Sequence, residues 1–275
     1  MNDWYLLLDA GNTRVKWALA DAARLPHSAP GAHDGYALPV QAQGACTHAD
    51  SAQLLADWRA AAARLHARPG ACRRILAANV AGATVQATLQ AALQEFFGPQ
   101  LPPLEWFASS AHRAGLRNGY ANPAQLGCDR FAAAIGAHAL LPQQALLVAN
   151  CGTASTLDAV SADGLFAGGM IAPGLALMAQ ALARNTAQLP QVDAQHLPHQ
   201  IADNTHDAIV AGCIVAQAGA IEKAQRQLAQ RWGQPVQCVL SGGAAFAIAP
   251  ALALPFVAID NLVLHGLCAV LREVE

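Results

Sequence analysis

The period of hydrophobic and polar positions changes several times along the chain, and each change marks an element. Tyr5 to Asp9 is a continuous apolar run closed by an acid, which predicts a buried strand ending in Asp9-Ala10-Gly11-Asn12-Thr13. Beyond it Val15, Trp17 and Leu19 alternate with Arg14 and Lys16, so the glycine turn joins strand to strand. Residues 21–50 show no period that locates an element. From Ser51 the period is helical, with Leu54, Leu55, Trp58 and Leu65 on one face, and Pro69-Gly70 is the stop after Arg68. Arg74–Asn79 reads as a strand, Ala83–Phe97 as a helix and Leu104–Phe107 as a short strand. Residues 109–127 read as a loop, after which Asp129 opens a helix to Leu141.

After Pro142 the pattern begins again. Ala145–Ala149 is a buried strand running into Asn150-Cys151-Gly152-Thr153-Ala154, and a second strand follows through Leu157 and Val160. Asn150 falls on Asp9, Gly152 on Gly11 and Thr153 on Asn12, an internal repeat 141 residues apart. Gly164–Gly174 reads as turns and Leu175–Asn185 as a helix, followed by a proline-rich loop. Asn204 or Thr205 caps a long helix to Trp232, Val236–Leu240 is a strand entering Ser241-Gly242-Gly243, and Leu262–Glu273 is a C-terminal helix.

Composition narrows the class. With 54% hydrophobic and 12% charged residues over 275 positions, the chain can bury a large core and is not a disordered segment. The longest apolar stretch, Ala244–Ile259, is too short for a membrane span and is broken by Pro250 and Pro255. The N-terminus lacks the positive region of a signal peptide, so a cytoplasmic location without membrane association is expected. Sixteen basic against eighteen acidic residues offer no electrostatic case for nucleic acid. Arg59, Arg64, Arg68, Arg73 and Arg74 cluster, but aromatic stacking residues are scarce nearby, and a solvated helix face accounts for them. Seven cysteines without C-x-x-C spacing read as small core residues, and His196 and His199, with no cysteine nearby, as loop histidines rather than zinc ligands.

Four segments carry candidate chemistry. In the first turn, glycine lets backbone N–H groups approach an anion, Asn12 and Thr13 add side-chain donors, and Lys16 is a point cation. Asp9 at the strand end suits magnesium held through water. A strand rather than a helix follows, so neither a P-loop nor a dinucleotide fingerprint applies. Gly152-Thr153-Ala154 repeats the motif, and two such turns facing each other would grip a triphosphate. Gly242 and Gly243 permit the close backbone approach that a purine needs, although a helix-entry turn has the same pattern. Last, Asp129 beside Arg130 at a helix start suits phosphoryl transfer: the carboxylate takes the proton of a hydroxyl and the guanidinium pairs with an anionic group. An N-capping Asp next to a surface Arg looks the same, and the phosphate turns are what favour the catalytic reading.

Together these segments resemble type III pantothenate kinases, a family that includes proteins labelled Bvg accessory factors. The most restrictive piece is Asn118-x-Tyr120-x-x-Pro123-x-x-Leu126-Gly127-x-Asp129-Arg130. The resemblance implies an α/β fold of duplicated RNase H-like domains, that of acetate and sugar kinases, heat-shock ATPases and actin, around an ATP cleft. The expected domains are 1–143, completed by helix 262–275, and 144–261. It further implies ATP-dependent phosphorylation of pantothenate to 4'-phosphopantothenate, which opens coenzyme A biosynthesis, with magnesium and a monovalent cation, potassium or ammonium. Asp129 matches the catalytic base. Asp9, Ala10, Gly11, Asn12, Thr13, Arg14, Val15 and Lys16 match the first phosphate motif, and Gly152 and Thr153 the second. Gly242 and Gly243 match the adenosine motif; Tyr120, Gly127, Cys128, Asp129, Arg130 and Thr205 match pantothenate contacts in a homodimer whose substrate pocket lies at the subunit interface. The family's second phosphate motif usually begins with an aspartate that helps hold the monovalent cation. Here that position is Asn150, which keeps a carbonyl ligand and loses the charge, so a weaker or altered cation dependence is expected. A regulatory protein of the same fold that binds a transcription factor, or a kinase for another small hydroxylated substrate, are the alternatives.

Overall fold

The computed structural model describes residues 3–23, 25, 36–186, 189–192 and 201–273. The chain divides into two units, one of Met1–Leu141 with Asn261–Glu275 and one of Pro142–Asp260. The His196 and His199 pair lies outside the described residues.

In the first unit, β1 (Trp4–Ala10), β2 (Arg14–Asp21) and β3 (Ala42–Thr47) form an antiparallel meander, and β4 (Cys72–Asn79) and β5 (Leu104–Trp106) lie parallel to β1, in the order β3-β2-β1-β4-β5. β1 is buried along its whole length, which is why its sequence runs apolar instead of alternating. Trp4, Leu6, Leu8 and Ala10 pack with Leu54, Leu55 and Trp58 of α1 (Ser51–Leu65) and Leu89, Leu93 and Phe97 of α2 (Ala83–Phe97). Trp4 stacks on Phe97 at 5.9 Å between ring centroids. The strand period of two sends Tyr5, Leu7 and Asp9 to the opposite face, where α7 (Leu262–Arg272) lies against β1 and α3 (Cys128–Leu140) against β4.

Helix α1 ends at Leu65 rather than Arg68. His66 takes the left-handed conformation at φ 51°, and the Ala67 N–H reaches back to Ala62 O at 2.8 Å, a closure that leaves Arg68 extended before Pro69. Within the segment read as loop, β6 (His112–Arg113) and β7 (Leu116–Asn118) pair as a short hairpin around Ala114 and Gly115, both at positive φ. Of the clustered arginines, Arg59 pairs with Glu95 at 2.9 Å, Arg73 with Asp3 and Arg74 with Glu105.

In the second unit, β8 (Leu146–Cys151), β9 (Ala154–Val160) and β10 (Leu165–Pro173) are again an antiparallel meander, and β11 (Gln237–Ser241) and β12 (Phe256–Ala258) run parallel to β8. The order β10-β9-β8-β11-β12 repeats that of the first unit strand for strand, so the fold is a duplicated RNase H-like one. Leu147, Ala149, Cys151 and Leu157 pack on Ala218, Ile221 and Ala224 of α5 (Thr205–Trp232). Helix α4 (Leu175–Asn185) and the short α6 (Ala245–Ile248) complete the unit.

The turns expected over Gly164–Gly174 are a nine-residue strand instead, β10. Only Gly164, at φ 77°, belongs to a turn; Gly168, at φ 131°, sits at a register shift opposite Ala159. The glycines of this run mark a bulge and a close approach of backbones, and sequence period alone does not separate these from loop.

Six of the cysteines are buried and Cys128 is half-buried, all of them free thiols. Burial pushes Cys72, Cys238 and Cys268 up to about 12, so these are packing groups and not nucleophiles.

His265 on α7 is 5% exposed, and burial, with Arg272 adding to it, lowers its pKa to about 4. The unfolded chain therefore binds this proton first. Stability is fully present above the ordinary histidine value near 6.5 and is lost as pH falls toward 4. Between pH 7 and pH 4.5 the group should cost about 2–3 kcal/mol. Asp9, raised to about 6, has the opposite sign, since the folded state takes up that proton first. Measured by urea unfolding, the stability of His265→Gln relative to the wild type should thus rise as pH falls through this window; a difference that does not change with pH would refute the assignment.

Candidate active site

The end of β1 forms the first half of the site. Ala10 and Val15 pair across the turn and are buried in the core, so they contribute backbone only. The Gly11 N–H closes the turn onto Arg14 O at 3.1 Å, and the Val80 N–H ties the end of β4 to Ala10 O at 3.0 Å. Asn12, Thr13 and Arg14 are exposed at the tip. Asp9 is 8% exposed and lies directly opposite Lys16 in the β1–β2 ladder. Its pKa is raised to about 6 by burial; Lys16 draws it down and Asp129 pushes it further up.

The start of α3 supplies the groups that act on Asp9. Asn118 braces the approach: its Oδ1 accepts from the Tyr120 N–H at 3.0 Å and its Nδ2 donates to Pro123 O at 3.1 Å. Helix α3 opens at Cys128 with Gly127 as its N-cap, so Asp129 is the second helical residue and not the cap. Its Oδ1 accepts the Arg130 N–H at 2.8 Å. A Cβ on Gly127 would stand 2.9 Å from that oxygen, so a side chain there would displace the carboxylate. The Cys128 thiol donates to Asn79 O at 3.5 Å, anchoring the helix start beside the C-terminal end of β4. Parallel strand ends of this kind are where open α/β sheets bind ligands. Burial raises the pKa of Asp129, while the hydrogen bond and charge of Arg130 lower it. Arg130 is 7% exposed; its Nη1 donates to the Tyr120 hydroxyl at 3.1 Å and its guanidinium carbon is 6.0 Å from the centroid of that ring.

The second unit repeats the turn one residue tighter: the Gly152 N–H closes onto Ala154 O at 3.1 Å. Asn150 stands directly opposite Thr156 of β9 on one side and Ser241 of β11 on the other. Thr156 and Ser241 are buried, and Thr156 Oγ1 has no hydrogen-bond partner among the described residues. Asp158, 1% exposed and two residues along β9, shares their face. It lies outside the four segments singled out by motif, although an acid inside an apolar strand is a usable signal.

The two glycines after β11 differ. Gly242 sits at φ 95°, and a Cβ there would overlap Cys151 O and stand 2.6 Å from its carbonyl carbon, so internal packing demands this glycine. A Cβ on Gly243 would meet nothing within 4 Å, and this glycine is the open one. Thr205 is the exposed first residue of α5, and the cap is Asn204, whose Oδ1 accepts from the Asp207 N–H at 3.0 Å.

Among the described residues no three His, Cys, Asp or Glu side chains gather as a metal cage. The acidic pair Asp9 and Asp129, in which the charge of Asp129 raises the pKa of Asp9, fits instead a magnesium ion that keeps most of its ligands as water and phosphate. Among the described residues no helix is long and apolar enough to cross a membrane.

Solved structures with this fold include a Baf family protein from Campylobacter jejuni, with TM-score 0.55, 17% identity and 98% of each chain covered. Another is the activator of the 2-hydroxyisocaproyl-CoA dehydratase from Clostridium difficile, solved with bound ADPNP. Its TM-score is 0.50 at 10% identity, over 98% of this chain and 93% of that one. At this distance they show the fold alone. A type III pantothenate kinase from Janthinobacterium sp. (strain Marseille) is 50% identical over 264 residues, 95% of each chain. A family profile described as type III pantothenate kinase matches residues 5–227, which include both glycine turns and the segment from Asn118 to Arg130. The chain belongs to the type III pantothenate kinase family.

Proposed function

We propose that Asp129 is the base in an ATP-dependent phosphorylation of the primary hydroxyl of pantothenate, and that Asp9 and the 11–13 turn attend to the transferred phosphate. The reaction is that of the family, a pantothenate kinase acting in coenzyme A biosynthesis. The observation that carries the residue assignment is the acidic pair: Asp129 at the head of α3 is close enough to Asp9 to raise its pKa.

The Arg130 N–H occupies Oδ1 of Asp129, which leaves Oδ2 for the substrate hydroxyl. Burial, by raising the pKa of Asp129, brings the base closer to working pH, and in-line positioning supplies most of the remaining acceleration. Arg130, held in place by Tyr120, pairs with the pantothenate carboxylate, and Gly127 and Cys128 contribute backbone beside it. Thr205 is a further substrate contact. Gly11 to Lys16, and likewise Gly152 and Thr153, are the phosphate-binding residues of this reading, and Gly243, with Gly242 before it, lies against adenosine. Asp9 would hold magnesium through water, and that ion would supply positive charge beside the phosphates.

Asn150 Oδ1, the unpartnered Thr156 Oγ1 and Ser241 offer neutral oxygens to a potassium or ammonium ion. Without a carboxylate at 150 the ion is held weakly. Asn150→Asp should lower the half-activating potassium concentration by about tenfold, the order expected for restoring one unit charge beside a monovalent cation. An activity titration with no change would refute the role.

A homodimer with the substrate site at its interface is supported by α5, which leaves Ala208, Gly212, Val215, Ala216 and Gly219 exposed along one face. The cytoplasm supplies the nucleotide. Nucleic acid is not a partner in this reading, in keeping with the carboxylates that engage Arg59, Arg73 and Arg74.

The test is coupled ATP turnover with pantothenate, with and without potassium or ammonium, on protein whose mass in solution is measured alongside. Pantothenate-dependent turnover is expected. None under any cation condition, in folded dimeric protein, would favour a regulatory role.

A further inference from the structure

Gly174, between β10 and α4, has an extended backbone at φ −71° and ψ 171°, so no left-handed conformation calls for glycine there. Space does. A Cβ on Gly174 would overlap Gly152 O, stand 2.5 Å from Thr153 O and 2.9 Å from the Thr153 carbonyl carbon. The Gly174 N–H also donates to Thr153 O at 3.0 Å. Two successive carbonyls of the turn thus pack against one residue.

In a planar trans peptide the C=O and the N–H point in opposite directions. With the Gly152 and Thr153 carbonyls turned onto Gly174, the N–H groups of Thr153 and Ala154 point away from it, side by side. Successive N–H groups of this kind form an anion cradle. The other flank of the turn is tied as well, by the Ala244 N–H to Cys151 O at 2.9 Å.

Gly174 is held in turn by a buried amide. Gln217 of α5 is 5% exposed, and its Nε2 donates to Pro173 O at 2.6 Å. A buried donor of this type is costly to leave unpaired, so the contact fixes the chain just before Gly174.

We propose that Gly174 is a positioning residue for the γ- and β-phosphates of ATP: it sets the two peptide planes at Gly152-Thr153-Ala154 so that they present donors instead of carbonyl oxygens. Gln217 supports it through Pro173. The inference rests on the reading of the Gly152–Thr153 turn as a phosphate site. A side chain at 174 forces at least one plane to turn, which replaces a donor with an oxygen facing an anion.

The experiment is steady-state kinetics of the full chain, with KM measured separately for ATP and pantothenate in Gly174→Ala, Gln217→Met and Thr153→Val. Gly174→Ala should raise the KM for ATP by about tenfold or more, the value of a hydrogen bond to a charged group, with the KM for pantothenate within about twofold. Gln217→Met should move the same constant in the same direction by a smaller factor. A merely structural role would lower the amount of active enzyme and leave both KM values alone, and that outcome, or an equal rise in both, overturns the proposal. If Thr153→Val raises the KM for ATP and Gly174→Ala does not, only this inference falls. If neither moves it, the phosphate reading of the turn falls too. Should Gly174→Ala not fold, an unchanged KM for ATP in Gln217→Met is the refuting result.

Discussion

Asp129→Asn is expected to lower turnover by about 10²- to 10⁴-fold, the usual worth of a positioned general base. The substitution is close to isosteric. The amide oxygen of the variant still accepts the Arg130 N–H, so the head of α3 and the Arg130–Tyr120 pair keep their geometry. What is lost is the proposed proton acceptor, and with it the negative charge that pushes Asp9 upward. The acid limb of the pH–rate profile should therefore move to lower pH in whatever activity remains, because Asp9 then ionises more readily. Nucleotide affinity, measured by titration, should stay within about threefold, since neither glycine turn is touched. Turnover within tenfold of the wild type would place the base elsewhere.

Gly266→Ala should be the most damaging small substitution in the first unit, at about 3 kcal/mol or more. Helices α3 and α7 meet at Gly136 and Gly266. A Cβ on Gly266 would overlap Ala132 O and stand 2.6 Å from its carbonyl carbon, and one on Gly136 would overlap Leu262 O and stand 2.8 Å from Gly266 N. The obstructing atoms are backbone, so no rotamer change relieves them; the helices must part. In a chain of this size the melting temperature should fall by about 6–12 °C. Because α3 carries Asp129 and Arg130 at its N-terminus, the surviving folded protein should also show a raised KM for pantothenate. A melting temperature within about 2 °C of the wild type would mean that the helices are not in backbone contact.

Elements with strong local signals were legible from the residues alone. The bounds of α2, α4 and α5 agree with their periods, because Pro99, the Pro173-Gly174 step, Asn204 and Gly233 start or stop helices by local chemistry. The strand–turn–strand repeat could be read from Asp9 and Asn150 because a strand, a glycine and a second strand are contiguous in the chain. The kinase family was legible for a similar reason: the residues from Asn118 to Arg130 brace one another over short separations.

Other features depend on partners far away in sequence. Strands β3, β10 and β12 exist because β2, β9 and β11 offer them edges, which is why an unperiodic stretch, a glycine-rich run and a proline-broken tail each contain a strand. The C-terminal helix could be seen as a helix, but its backbone contact with α3 is a matter of two glycines 130 residues apart, Gly136 and Gly266. The same holds at the site. The sequence by itself determined which acids, turns and arginine are present and what chemistry they suit. Only the tertiary structure decided that Asp9 is buried beside Asp129, that Gly127 rather than Asp129 caps α3, and that Gly174 and Gly242 hold the second turn. Burial and close backbone approach are properties of pairs of distant segments, and no single stretch of sequence carries them.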